Sequence, residues 1–106
     1  MGPTQTKIIK QLIPFRKLIQ KKYGVTKVIL FGSLATGHFT KESDVDLIVI
    51  SDAFKGKKSF ERSPPLYKDW KLGYPVDFLC FTPEEFERKR KIEGILHEAM
   101  KKAVEI

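Results

Sequence analysis

The sequence predicts a small α/β fold in which helices pack against a β-sheet. Its 106 residues suit one hydrophobic core, so we expect a single domain spanning residues 1–106. Helical and strand patterns alternate in the order helix, strand, turn, strand, helix, strand, helix. One strand is apolar on both faces over most of its length, which is typical of a central strand in a layered fold.

The first element is predicted to be an amphipathic helix over residues 5–23, ended by Gly24. Its apolar side chains recur at helical spacing: Ile8, Leu12, Phe15 and Ile19. Pro14 lies inside this pattern. Because proline lacks a backbone N–H, we expect it to kink this helix or to split it in two.

Three strands are predicted, over residues 25–31, 44–50 and 74–81, the last with Pro75 near its start. The first is followed by the stretch GSLATG, which is long enough for one helical turn. Between the second and third strands we expect a loop around Lys55–Lys58 and a short helix near Leu66–Leu72. The polar and basic composition of residues 52–73 and the Pro64-Pro65 pair are the basis for this expectation.

The last helix is predicted to begin at Thr82-Pro83-Glu84-Glu85, where threonine caps, proline fits the first position and Glu85 completes a capping box. Gly94 is a place where this helix can bend. The expected apolar stripe runs toward the end of the chain: Ile92, Ile95, Leu96, Ala99, Met100 and Ala103.

The composition limits the class of protein. The net charge is +7, but the basic residues are spread along helices, which is typical of solvated faces, and no aromatic RNA-binding signature occurs. A nucleic-acid binder is therefore a minor alternative, whereas a positive field would attract a nucleoside triphosphate. The single cysteine, Cys80, is expected to be a buried, inert thiol. No apolar run approaches the roughly 20 residues of a membrane span, so we expect a cytoplasmic protein without a membrane partner.

The second strand, DVDLIVI, opens with two acids. Because side chains alternate along a strand, Asp44 and Asp46 project from one face with Cα atoms about 6.7 Å apart. Partial burial would raise their repulsion to the order of several kcal/mol. Mg²⁺, a hard cation bound by carboxylates and substrate phosphates, would relieve it. A capping role for Asp44 and a lysine partner for Asp46 form the ordinary alternative for so short a pattern.

Residues elsewhere in the chain favour the metal site. Gly32-Ser33 ends the first strand, where glycine permits close backbone approach and serine offers a hydroxyl and N–H groups to an anion. A Walker phosphate loop is excluded because no G-K-[ST] follows. Asp77, in the third strand, supplies a further acid at a strand opening. Together these residues predict phosphates bound beside a metal and a base.

The stretch LFGSLATGHFTKESDVDLIVI, followed by VDFL, resembles the nucleotidyltransferase superfamily of DNA polymerase beta, and in particular its minimal nucleotidyltransferases. The shared pattern is Gly32-Ser33, ten residues, Asp44-Val45-Asp46, and the later acid Asp77. The resemblance implies a small mixed β-sheet with flanking helices, the polymerase beta-like fold. It also implies that Gly32 and Ser33 bind the triphosphate, that Asp44 and Asp46 hold Mg²⁺, and that Asp77 ligates a second metal and activates the acceptor hydroxyl.

Small relatives of this kind resemble the antitoxin of a toxin–antitoxin pair whose partner is a HEPN-domain protein. That likeness implies transfer of AMP from ATP to a tyrosine of the partner. Family members often read G-S-R-A-R-G, whereas this chain has Leu34 and Thr36 at the arginine positions. The alternative is therefore a non-catalytic antitoxin that neutralises a HEPN-type partner by contact.

Overall fold

The computed structural model describes residues 3–40, 42–92, 100 and 102–106. Its elements, in chain order, are α1 (Pro3–Tyr23), β1 (Val25–Phe31), α2 (Gly32–Thr36), β2 (Val45–Ser51), a short 3-10 helix (Asp52–Phe54), α3 (Ser59–Arg62), α4 (Pro64–Asp69), β3 (Val76–Phe81), α5 (Pro83–Ile92) and β4 (Val104–Glu105). Within these ranges, no helix combines the length and the hydropathy that a membrane crossing requires.

The strands form one mixed four-stranded sheet in the order β3-β2-β1-β4. β2 pairs in parallel with β3 and antiparallel with β1, and β4 pairs antiparallel with β1. Every residue of β2 except Asp46 is buried. The predictions of a mixed sheet and of a central DVDLIVI strand are therefore confirmed.

The alternation of side chains along the strands divides the core between the two faces of the sheet. α1 covers one face, where Leu12 and Ile19 pack with Leu47 of β2. The opposite face carries a second cluster that includes Ile48, Ile50 and Phe86 of α5. Asp46 belongs to this second face because it alternates with Leu47.

α1 is continuous from Pro3 to Tyr23 although it contains Pro14, so the prediction of a split helix is wrong. Leu12 and Phe15, on either side of the proline, are 1% and 6% exposed. Their packing against the sheet offsets the loss of one backbone hydrogen bond, which costs roughly 3 kcal/mol in an isolated helix. The kink stays a prediction.

The connection between β2 and β3 differs from its prediction. It contains two short helices, α3 and α4, and α4 begins at Pro64 and ends at Asp69 instead of running from 66 to 72. The helix starts at the two prolines because the first helical positions need no N–H donor. β3 begins at Val76, after Pro75, whose carbonyl accepts a hydrogen bond from Val45 N at 2.8 Å.

The C-terminal part of the chain is partly outside the described residues, including the predicted bend at Gly94 and the predicted stripe residues Ile95, Leu96 and Ala99. α5 ends at Ile92 in the described part, and Met100 and Ala103 are half-buried against the second cluster. Ala103 is not helical, and Val104–Glu105 forms the short strand β4, which the sequence did not predict. A two-residue strand has no periodicity that could reveal it.

Candidate active site

Two of the predicted acids are neighbours on adjacent strands. Asp46 of β2 is the register partner of Asp77 of β3, and Phe31 of β1 is the register partner of Asp46 on the other side. Register partners on adjacent strands share a face of the sheet. Phe31, Asp46 and Asp77 therefore form a row across three strands on the face opposite α1. We call it the acid row after its two carboxylates.

Electrostatic repulsion acts within this group of acids. Burial raises the pKa of Asp46, and the charges of Asp77 and then Asp44 raise it further. Asp44 lies one residue before β2, and its side chain and that of Asp77 are exposed, whereas Asp46 is half-buried. The structure therefore brings Asp77 and Asp44 close enough to Asp46 for their charges to act on its carboxyl group.

Gly32 touches the acid row directly. Its backbone has φ +75°, which an L side chain rarely adopts, and a methyl group at this position would lie 2.2 Å from Asp46 Oδ2. The sequence suggested that this glycine lets the backbone approach a ligand. The structure shows a different close neighbour, the carboxylate of Asp46, which leaves no room for any side chain at position 32.

Ser33 follows in α2, a five-residue helix that ends at the left-handed Gly37. The Ser33 carbonyl accepts hydrogen bonds from His38 N at 2.9 Å and from Thr36 Oγ1 at 3.2 Å, which fixes this turn. Leu34 is fully buried in the core on the α1 side. Ser33 is therefore placed beside the acid row through Gly32, while position 34 points into the core.

The donor chemistry of these residues fits Mg²⁺, which prefers carboxylate, phosphate and water oxygens. No group of three or more His, Cys, Asp or Glu side chains in the described ranges is close enough to hold one ion. Mg²⁺ commonly takes several of its ligands from water and substrate phosphates. An ion held by Asp44, Asp46 or Asp77 would therefore need further oxygen ligands from outside these side chains.

Tyr67 of α4 is a site neighbour that the sequence did not indicate. Its hydroxyl donates a long hydrogen bond to Asp77 Oδ1 at 3.4 Å and accepts one from Phe78 N at 3.4 Å. Its ring packs edge-on against Phe78 with centroids 4.9 Å apart. Nothing in the surrounding stretch FERSPPLYKDW predicts this contact, because it depends on how α4 lies along the edge of β3.

A buried cation lies at the opposite end of β3. Arg62 is 7% exposed and its guanidinium contacts both carboxylate oxygens of Glu85, at 2.5 and 3.1 Å. It also donates to the carbonyls of Lys57 and Cys80. Glu85 additionally accepts a hydrogen bond from Thr82 N at 2.9 Å, which confirms the predicted capping box. Arg62 of α3 thus links this helix to β3 and α5 through hydrogen bonds.

The remaining polar candidates do not join the acid row. Cys80 is half-buried, and burial raises the pKa of its thiol to about 12, which agrees with an inert thiol. His38 is exposed, with Nδ1 3.1 Å from Thr36 Oγ1. Tyr74 lines a groove of about 460 Å³ with Ile8 and Phe39, on the α1 side of the sheet.

The fold and the acid row define a nucleotidyltransferase-type α/β domain. A solved structure described as a "putative nucleotidyltransferase from Sulfolobus solfataricus" matches 99% of this chain and 87% of its own, with a TM-score of 0.61 at 19% identity. This likeness confirms the polymerase beta-like fold that the sequence resemblance implied.

The sequence comparisons identify the family. Residues 12–102 match the family described as "Nucleotidyltransferase domain", so the chain belongs to that family. Two similar proteins come from Methanocaldococcus jannaschii. "Putative protein adenylyltransferase MJ1379" is 41% identical over 78 residues, covering 72% of this chain and 77% of the relative. "Putative protein adenylyltransferase MJ0604" is 40% identical over 45 residues, covering 41% of this chain and 45% of that relative.

Proposed function

We propose that this chain is a Mg²⁺-dependent nucleotidyltransferase that moves a nucleoside monophosphate, AMP from ATP, to a hydroxyl of a partner protein. The observation that carries the proposal is the register pairing of Asp46 with Asp77 beside Gly32. It combines phosphate-side and acceptor-side groups on one face of the sheet. The names of the two M. jannaschii relatives support a protein as the acceptor.

Each residue of the site has a role in this proposal. Gly32 and Ser33 bind the triphosphate, Ser33 through its hydroxyl and amide. Asp44, Asp46 and Asp77 hold Mg²⁺, which supplies neutralisation of the phosphate charges. Asp77 also accepts the proton of the attacking hydroxyl, since it is exposed and lies on β3, the edge strand from whose side an acceptor can arrive.

The reaction is an in-line displacement at the α-phosphorus. The bond between the acceptor oxygen and phosphorus forms while the bond to the bridging oxygen of pyrophosphate breaks, and the hydroxyl proton passes to the Asp77 carboxylate. Chemistry of this kind depends mainly on positioning and on neutralising charge, which a small domain can supply.

The acceptor in this proposal is a tyrosine of a HEPN-domain protein, with this chain as the antitoxin of the pair. The support is the likeness to minimal nucleotidyltransferases and the protein-adenylyltransferase names of the relatives. The chain's net charge of +7 would favour an anionic substrate such as ATP.

The test is incubation of the purified chain with α-labelled ATP, Mg²⁺ and the HEPN-domain product of a neighbouring gene. Label should appear on the partner, and γ-labelled ATP should leave none. Asp46→Asn should abolish transfer, whereas Asp52→Asn, exposed in the 3-10 helix that follows β2, should retain it. An unlabelled partner with wild-type protein, or equal labelling by Asp46→Asn, would contradict the proposal.

A second candidate is a non-catalytic antitoxin that neutralises its partner by contact. The observation that favours it is the buried Leu34 and the hydrogen-bonded Thr36 at positions where arginines could hold phosphates. Asp44→Asn distinguishes the two candidates in a growth-rescue assay with the toxin. Rescue by the folded variant supports neutralisation by contact, and loss of rescue supports catalysis.

A further inference from the structure

The two carboxylates of the acid row have different neighbours, one on the inner side of the sheet and one at its edge. Gly32 lies against Asp46 on the β1 side, and the sheet order β3-β2-β1-β4 makes β3 an edge strand. Asp77 therefore stands between Asp46 and the open edge of the sheet. Leu79, the next residue on that face of β3, is 39% exposed, so the edge is accessible.

This arrangement determines where the attacking hydroxyl must be. In an in-line displacement the attacking oxygen and the leaving pyrophosphate lie on opposite sides of phosphorus. If Gly32 and Ser33 hold the pyrophosphate side, the attacking hydroxyl approaches from the β3 edge, next to Asp77.

A hydroxyl of this chain lies beside Asp77 at this edge. Tyr67 Oη lies 3.4 Å from Asp77 Oδ1, and the ring is held by its edge-on contact with Phe78. Tyr67 is 43% exposed, so the side chain lies at the surface, although its hydroxyl also accepts a hydrogen bond from Phe78 N at 3.4 Å. In the proposed reaction Asp77 takes the proton of the attacking hydroxyl, and the Tyr67 hydroxyl lies next to it. Because Tyr67 belongs to the same chain, its effective concentration at Asp77 is high.

We propose that this chain nucleotidylates itself on Tyr67, a modification that rests on the nucleotidyltransferase function proposed above. The Tyr67 Oη–phosphorus bond forms, the bond from phosphorus to pyrophosphate breaks, and the phenol proton passes to the Asp77 carboxylate. The products are a tyrosyl phosphodiester of the nucleoside monophosphate and free pyrophosphate. No reactant beyond the nucleoside triphosphate is required.

The experiment incubates the purified full chain with α-labelled ATP and Mg²⁺, with and without the HEPN-domain partner, and maps the label by peptide mass spectrometry. The variants are Tyr67→Phe, which keeps the ring that packs on Phe78, and Tyr74→Phe, a matched loss of a phenol in the groove beside Ile8 and Phe39. Asp46→Asn serves as the inactive control. Dilution of the chain by about tenfold separates reaction within one chain from reaction between copies.

Wild type and Tyr74→Phe should gain the mass of one AMP group on the peptide that contains Tyr67, at a fractional rate that dilution does not change. Tyr67→Phe should lose at least about tenfold of this self-label while it still labels the partner. Self-label that persists in Tyr67→Phe, maps to another residue, or is missing while the partner is labelled would overturn the proposal and leave the proposed function standing. Absence of label from both proteins would overturn both.

Discussion

The contact between Gly32 and Asp46 gives a prediction that the structure makes quantitative. In Gly32→Ala the new methyl group would lie 2.2 Å from Asp46 Oδ2 and 3.0 Å from Asp46 Cγ, on a backbone with φ +75°. A carbon and an oxygen at ordinary contact are more than 3 Å apart. The Asp46 carboxylate must therefore shift by about 1 Å, or the β1–α2 turn must move.

Two contributions to the free energy of unfolding can be separated. An alanine in the left-handed conformation costs about 1–2 kcal/mol. The overlap adds roughly 1–3 kcal/mol, as overpacking in a buried region does. Gly56→Ala is the matched control, because Gly56 has φ +80° and nothing within 4 Å of the added methyl group. It should show the conformational part alone.

The assay is urea unfolding of wild type and both variants, with nucleotidyl transfer measured in parallel. We expect Gly32→Ala to be destabilised by about 1–3 kcal/mol more than Gly56→Ala, and to lose transfer activity by about 100-fold because an active-site group moves by about 1 Å. In an Asp46→Ala background most of this extra cost should disappear, since the carboxylate is gone and only the 3.2 Å contact with the Asp46 Cβ remains. Equal destabilisation by the two glycine substitutions in the wild-type background would refute the reasoning.

Three further predictions concern charge and phosphate binding. Asp46→Asn should stabilise the metal-free chain by about 1 kcal/mol while abolishing transfer, because it removes a half-buried charge that repels its neighbours; thermal unfolding against Asp52→Asn checks this. Hydrogen bonds from Arg62 and then Thr82 lower the pKa of Glu85 from 4.5 to about 2. The free energy of unfolding that this carboxylate contributes is therefore fully present above pH 4.5 and is lost as the pH falls toward 2. Arg62→Lys should therefore lower stability by roughly 1–3 kcal/mol at neutral pH and by less in acid, as urea midpoints at the two pH values would show; equal losses would contradict it. Ser33→Ala should raise the KM for ATP about tenfold, and an unchanged KM would exclude the hydroxyl from phosphate binding.

The parts of the fold that the sequence predicted are those with strong local signals. Buried β2, the capping box at Thr82 and the helical stripe of α1 each follow from a short pattern of side chains. Of the two outcomes predicted for Pro14, the split does not occur, because tertiary packing of Leu12 and Phe15 maintains a helix that local chemistry would interrupt. β4 was missed because two residues at a sheet edge carry no period.

The site divides in a similar way. Gly32 follows the end of β1, and Asp46 and Asp77 lie near the starts of β2 and β3. The spacing of such residues along the sequence was enough to group these three. Tyr67 and Arg62 reach the sheet from the irregular connection after β2, where contacts depend on how short helices pack and not on a repeat. The sequence therefore grouped the acids, two of which are register partners, but it did not place the Tyr67 hydroxyl beside Asp77.

The arrangement of the two ends of β3 explains how the chain can accommodate the acid row. At one end, Asp46 and Asp77 face each other across the strands in mutual repulsion. At the other end, Arg62 binds Glu85 through two contacts and fastens three elements together. Because β2 beside them is almost wholly buried, the core and the Arg62 contacts can offset this repulsion in the free energy of unfolding.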